Sequence, residues 1–139
     1  MEITSELETE LHDEQFIKLP QILRVLSLGA SYELKLPQLG DDFIAGIHNG
    51  VFVVLPIEGV TQLCGPNLPA RTEQSLEEFL LRQRTPIRLR LITDTEQNTC
   101  WLLNIQDRWL RVSISTGVSW VPMSAIRSME IVAVDNSKQ

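Results

Sequence analysis

Apolar and polar residues alternate most regularly in the second half of the chain, where Ile87, Leu89 and Leu91 are interleaved with Arg88 and Arg90. A period of two sends successive side chains to opposite faces, so this segment predicts a strand with one face in a core and both arginines outward. The polar stretch Thr93–Asn98 interrupts the pattern, and Thr99–Ile105 follows with Trp101, Leu103 and Ile105 on one predicted face. Gln106-Asp107-Arg108 is short and polar enough to reverse the chain into Trp109–Ser115, which predicts a hairpin. Thr116-Gly117 reverses it again into Val118–Val121, and Arg127–Val134 supplies a last strand. Earlier in the chain, Tyr32–Leu36 reads as a strand by the same signs.

Two segments carry helical spacing instead. Pro20 suits a first helical turn, Ile22, Leu23 and Leu26 make an apolar face, and Gly29 is a usual helix end, so a short helix is expected before Tyr32. Ser75 and Glu78 have the spacing of a capping box, Leu76, Phe79 and Leu80 share a helical face, and Pro86 closes the segment. Near the amino terminus, Ile3, Leu7 and Leu11 form a narrow apolar stripe among acids, which predicts either a helix or a disordered leader.

The chain also nearly repeats itself. Leu55-Pro56-Ile57-Glu58-Gly59-Val60-Thr61-Gln62-Leu63 returns 66 residues later as Val121-Pro122-Met123-Ser124-Ala125-Ile126-Arg127-Ser128-Met129. Upstream, Tyr32–Leu36 resembles Ile87–Leu91 at an offset of 55, and Ile47–Val54 resembles Ile105–Val112 at 58. Offsets that rise along the chain are expected of a duplication that has grown in its loops, with the first copy lacking most of one strand or a hairpin turn. The expected organisation is an acidic leader over 1–18, a first, shortened half over 19–66, and a second half with its leading helix over 71–135.

Composition changes this picture little. At 139 residues, with 43% hydrophobic and 22% charged, the sequence is globular, and halves of about 60 residues are small enough to need a shared core. The net charge of −6 divides into −7 over residues 1–70 and +1 over 71–139, and six acids lie within the first fourteen residues. The charge therefore belongs mainly to the leader, and a strongly basic nucleic-acid footprint is missing. No apolar run approaches the ~18 residues a membrane helix needs, and the acidic start has no signal-peptide character, so a cytoplasmic protein without a membrane partner is expected. Cys64 and Cys100 have no metal-ligand spacing with each other or with His12 and His48, so half-buried or buried thiols are expected, with no metal or other cofactor.

The corner Trp120-Val121-Pro122-Met123-Ser124-Ala125-Ile126-Arg127 resembles the bend between strands 4 and 5 of Sm-like barrels. Pro122 cannot donate to a ladder and ends the strand, one 3₁₀ turn at 123–125 redirects the chain, and Ile126 can plug the interior. Leu55-Pro56-Ile57-Glu58-Gly59-Val60 fits the same corner. Over roughly residues 18–134, the chain resembles a bacterial family of tandem Sm-like (SH3-type small β-barrel) proteins in which a stretch like Arg82-Gln83-Arg84-Thr85-Pro86-Ile87-Arg88 opens the second barrel. The resemblance implies a mainly β fold of two small barrels, each preceded by a short helix. It implies no activity.

In RNA-binding Sm proteins a polar residue after strand 2 and an Arg-Gly near strand 5 read the bases, and the matching positions here are Asp107 and Arg127. Ser128 stands where that pattern has glycine. Trp109 offers either a stacking platform or a core aromatic. Arg82, Arg84, Arg88 and Arg90 form the densest cationic stretch and suit phosphate, an acidic protein surface, the leader of the same or a neighbouring chain, or simple pairing with Glu77 and Glu78. Asp41-Asp42 reads as a solvated turn pair. No nucleophile with a base, paired-carboxylate pocket or phosphate loop is recognisable, so an enzyme is not expected. The expected role is a protein-interaction or scaffold module acting on an unknown protein partner or as a homo-oligomer. The candidate interaction residues are Arg84, Arg88, Arg90, Asp107, Arg108, Trp109 and Arg127; RNA binding through the second barrel is the alternative, disfavoured by net charge, and a small-molecule sensor or an unrecognised enzyme is a further one.

Overall fold

A computed structural model describes residues 22–83 and 86–132. The expected leader over 1–18, Pro20, Arg84 and the end of the last strand beyond Val132 lie outside these residues. The chain forms β1 (Ile22–Ser27), β2 (Ala30–Leu39), β3 (Phe43–His48), β4 (Val51–Pro56) and β5 (Val60–Cys64). After helix α1 (Leu76–Leu81) come β6 (Ile87–Thr93), β7 (Gln97–Gln106), β8 (Trp109–Ile114), β9 (Gly117–Pro122) and β10 (Ile126–Val132). Both expected corners are present as 3₁₀ turns, Ile57–Gly59 and Met123–Ala125, each entered from a proline in extended conformation.

The ten strands of the described residues join one open antiparallel sheet in the order β5-β1-β2-β3-β4-β10-β6-β7-β8-β9. The fold is therefore mainly β, and the five strands expected at Tyr32, Ile87, Thr99, Trp109 and Arg127 are all present. The order is also that of two runs of five, β5-β1-β2-β3-β4 and β10-β6-β7-β8-β9, joined by β4 on β10. The pairs Leu23↔Leu34, Ile44↔Leu55 and Val25↔Leu63 become Leu89↔Cys100, Leu110↔Val121 and Leu91↔Met129 when 66 is added to each number. Even the irregularities correspond, since β2 shifts register between Lys35 and Gln38 and β7 between Leu102 and Asn104.

Four expectations are corrected. Residues 22–27 are a strand, not a helix: Leu23, Val25 and Ser27 are buried while Ile22 and Arg24 are exposed, and Leu28 and Gly29, both at positive φ, close a tight hairpin into β2. The strand pairings of the two runs correspond at an offset of 66, and not at the expected 55 or 58. The first run is not shortened, because it too has five strands. In β7 the face expected for Trp101, Leu103 and Ile105 is broken, because the irregularity at Leu103 flips the alternation: Cys100, Leu102 and Ile105 turn to the core and Leu103 is exposed.

Two apolar clusters fill the fold. One lies within the first run and joins Leu23, Val25, Tyr32, Leu34, Ile44, Val53 and Leu55. The other crosses between the runs, bringing Phe43, Ala45 and Val54 together with α1 and with Leu89, Leu91, Leu110, Ile126 and Met129. Strands β3 and β4 thus contribute to both clusters and are buried on both faces, which is why they read as continuous apolar stretches. No helix among the described residues is long and apolar enough to cross a membrane.

Candidate interaction surface

Helix α1 shows what one sheet face requires. Ser75 and Glu78 form the expected capping box, and Asp42 Oδ1 accepts from the Leu76 N–H at 2.7 Å, fixing the helix start against the β2–β3 loop. Leu76, Phe79 and Leu80 are thereby laid over Phe43, Ala45 and Val54, with the Phe79 ring 4.9 Å from Phe43 and 5.9 Å from Phe52.

Adding 66 to those four sheet positions gives Trp109, Arg111, Trp120 and Val118. Opposed pairs Arg111↔Trp120 and Ser113↔Val118 put them on one face of β8 and β9. Here no helix among the described residues lies above them: Trp109 is 43%, Trp120 45% and Val118 55% exposed, whereas Phe43, Ala45 and Val54 are at most 1% exposed. The two indoles, Gln106 and Asp107 border a shallow hollow of about 370 Å³, and the Arg111 guanidinium lies 5.9 Å from the Trp120 ring centroid. Trp109 is therefore a surface aromatic and not a core one.

The remaining candidates are engaged separately. Asp107 and Arg108, at φ 51° and 67°, form the two-residue turn that presents Trp109. Arg108 reaches back to the first run, donating from Nη1 to Asp42 Oδ2 at 2.7 Å and from Nε to Glu58 Oε2 at 3.0 Å, with a second bond to Glu58 from Nη2. Hydrogen bonding to Glu58, and then to Asp42, holds the guanidinium pKa above its ordinary value. Asp42 is consequently a structural acceptor, not the solvated turn residue expected from sequence. Arg127 donates from Nε to the Leu28 carbonyl at 3.0 Å, and Ser128 accepts from the buried Tyr32 hydroxyl. Arg88 and Arg90 do face outward, Arg88 over Trp101 at 5.6 Å from the ring centroid and Arg90 at 3.3 Å from Glu130 instead of Glu77 or Glu78. Cys64 is half-buried and Cys100 buried, where loss of hydration pushes the thiol up to about 11.

The structure thus brings together Asp107, Arg108 and Trp109 on one turn, while Arg88, Arg90 and Arg127 each serve a different local contact. Sequence reasoning missed Val118 and Trp120. The signal was present in the Pro56–Pro122 correspondence, which sets Val54 against Trp120, but it was not extended into the strands. No protein-family model, curated protein or solved structure matches the chain.

Proposed function

We propose that this chain is a non-enzymatic, cytoplasmic protein-interaction or scaffold module built from two Sm-like barrel units, with α1 leading the second. The common register at an offset of 66 and the paired proline-to-3₁₀ corners support the two-unit reading. The observation that carries the interaction reading is the exposed Trp109–Val118–Trp120 face, which corresponds position by position to a face that α1 covers in the first run. Adjacent exposed apolar side chains of this size are typical of surfaces that another protein covers. The chemistry-bearing groups nearby serve the fold: Arg108 is held by two carboxylates, and Cys100 keeps its proton at neutral pH.

A pull-down from lysate with and without nuclease tests this. The expected partners are proteins that survive nuclease treatment and are lost when Trp109→Ala and Trp120→Ala are combined. RNA binding is the second reading, favoured by the same two indoles beside Arg111, which suit base stacking. Tight binding of single-stranded RNA, weakening with a log–log salt slope of about 0.7 per phosphate contact, would establish that reading in place of the first.

A further inference from the structure

The two runs share a backbone register but not an interior. Val25↔Tyr32 and Gly46↔Val53 in the first correspond to Leu91↔Asn98 and Val112↔Ser119 in the second. In the first run the Tyr32 ring is buried, packs edge-on to His48 at 5.1 Å between ring centroids, and donates its hydroxyl to Ser128 Oγ at 3.0 Å. Leu34 and Val53 are fully buried in the same cluster. At these three positions the second run has Asn98, Cys100 and Ser119, each of them smaller. Val112 in place of Gly46 restores only part of that volume. Protein interiors are otherwise close-packed, so smaller side chains on a matching backbone leave space.

The space is present. Leu91, Cys100, Val112 and Val121 give a hollow of about 320 Å³ its apolar lining, and Asn98 and Ser119 stand beside them. Ser119 and Val121 alternate with Val118 and Trp120 along β9, so the hollow lies on the face of that strand opposite the two indoles. Its volume falls within the range of small-molecule sites, at the lower end. The lining residues Asp94, Glu96 and Asn98 are exposed, and on their side the hollow meets solvent. This rim is ordered by its own hydrogen bonds: Glu96 Oε1 accepts from Asn98 Nδ2 at 3.0 Å, and Thr93 Oγ1 accepts from the Glu96 N–H at 3.1 Å. Among the described residues, no lysine or arginine belongs to the lining. An apolar interior with carboxylates alone at its rim selects an apolar body carrying a positive head.

We propose that the second run binds a small arylalkylamine, its ring in the hollow where the first run keeps the Tyr32 ring and its ammonium at Asp94 and Glu96. This goes beyond the association reading, which uses the other face of β9, and each can fail without the other.

Three probes with one ring test it on the full chain: p-cresol, which is the tyrosine side chain itself, tyramine, which adds an ammonium, and 4-hydroxyphenylacetate, which adds a carboxylate. Calorimetric titration is expected to give tyramine a Kd on the order of 1 mM or below, p-cresol a weaker one and the acid none. Methyl resonances of Leu91, Val112 and Val121 should shift as tyramine saturates. Asn98→Tyr combined with Ser119→Val restores the first-run residues and should abolish binding of every probe. Asp94→Asn combined with Glu96→Gln changes only exposed groups and keeps the fold; it should weaken tyramine about tenfold, about threefold for each exposed ion pair, and leave p-cresol unchanged. If the filled variant does not fold, this rim variant and the methyl shifts decide. No saturable binding, equal binding of the amine and the acid, a folded filled variant that still binds, or a rim variant that binds tyramine as before would each overturn the proposal. So would contacts, in the free protein, between the methyls of Val112 or Val121 and residues 1–21 or 133–139, because the chain would then fill the hollow itself.

Discussion

Ile126 leaves the second 3₁₀ turn and is fully buried, with Met123, Met129 and residues of both five-strand runs in the same cluster. Truncating it loses transfer energy and leaves a cavity that the surrounding strands can close only in part. Ile126→Ala is expected to lower stability by about 2–5 kcal/mol, read as a shift of the denaturant midpoint, and an unchanged midpoint would mean the corner is not packed as described. Cys100 gives a dependence on pH. In the unfolded chain its thiol ionises near 9.0, and in the folded chain near 11. Between those values the unfolded chain releases a proton that the folded chain keeps, so the stability contributed is complete below 9.0 and is lost as pH rises toward 11. The loss should reach about 3 kcal/mol relative to Cys100→Ala, whose denaturation curves lack this component.

Elements differ in how clearly they were written into the residues. Strand β6 was legible because Ile87, Leu89 and Leu91 strictly alternate with Arg88 and Arg90 and only one face is buried. The capping box of α1 was equally legible, since Ser75 and Glu78 satisfy each other locally. Strand β1 was not: Ile22, Leu23 and Leu26 fit a helical stripe as well as a strand, and the decision falls to pairing with β2 and β5, which no local pattern contains. The correspondence of the two runs was obscured for a related reason. Tyr32 corresponds to Asn98 and Val53 to Ser119, so at such positions the backbone register matches where the side chains do not. Of the candidate surface, Trp109 and the Asp107-Arg108 turn were visible, but its exposure was not, because no local pattern says that among the described residues only the corresponding face of the first run lies under a helix. That helix has its own test. Ser75→Ala removes a cap at the start of a six-residue helix and should cost about 1 kcal/mol, with faster amide exchange at Phe79 and Leu80.

Across the whole molecule, one cluster contains Phe43, Ala45 and Val54 from the first run and most of the apolar side chains of the second. Arg108 adds a link to Asp42 and Glu58 at the surface. The two runs should therefore unfold together. All three tryptophans, Trp101, Trp109 and Trp120, lie in the second run, so their fluorescence reports on that run while far-ultraviolet circular dichroism reports on every strand. Coincident transitions by the two probes are expected, and separate midpoints would show that the runs are independent. The β4–β10 pairing also has a consequence in time. Val53 and Glu130 are 77 positions apart, whereas the other strand-to-strand pairings of β1 to β5 among the described residues lie within Ile22–Cys64. As the chain leaves the ribosome, the first five strands can be complete while β10 is still to be made. Through that interval the Val53-Val54 edge is open, apolar and uncharged, so the period in which the nascent chain is most exposed to wrong partners is set by the rate of translation across the following 77 residues.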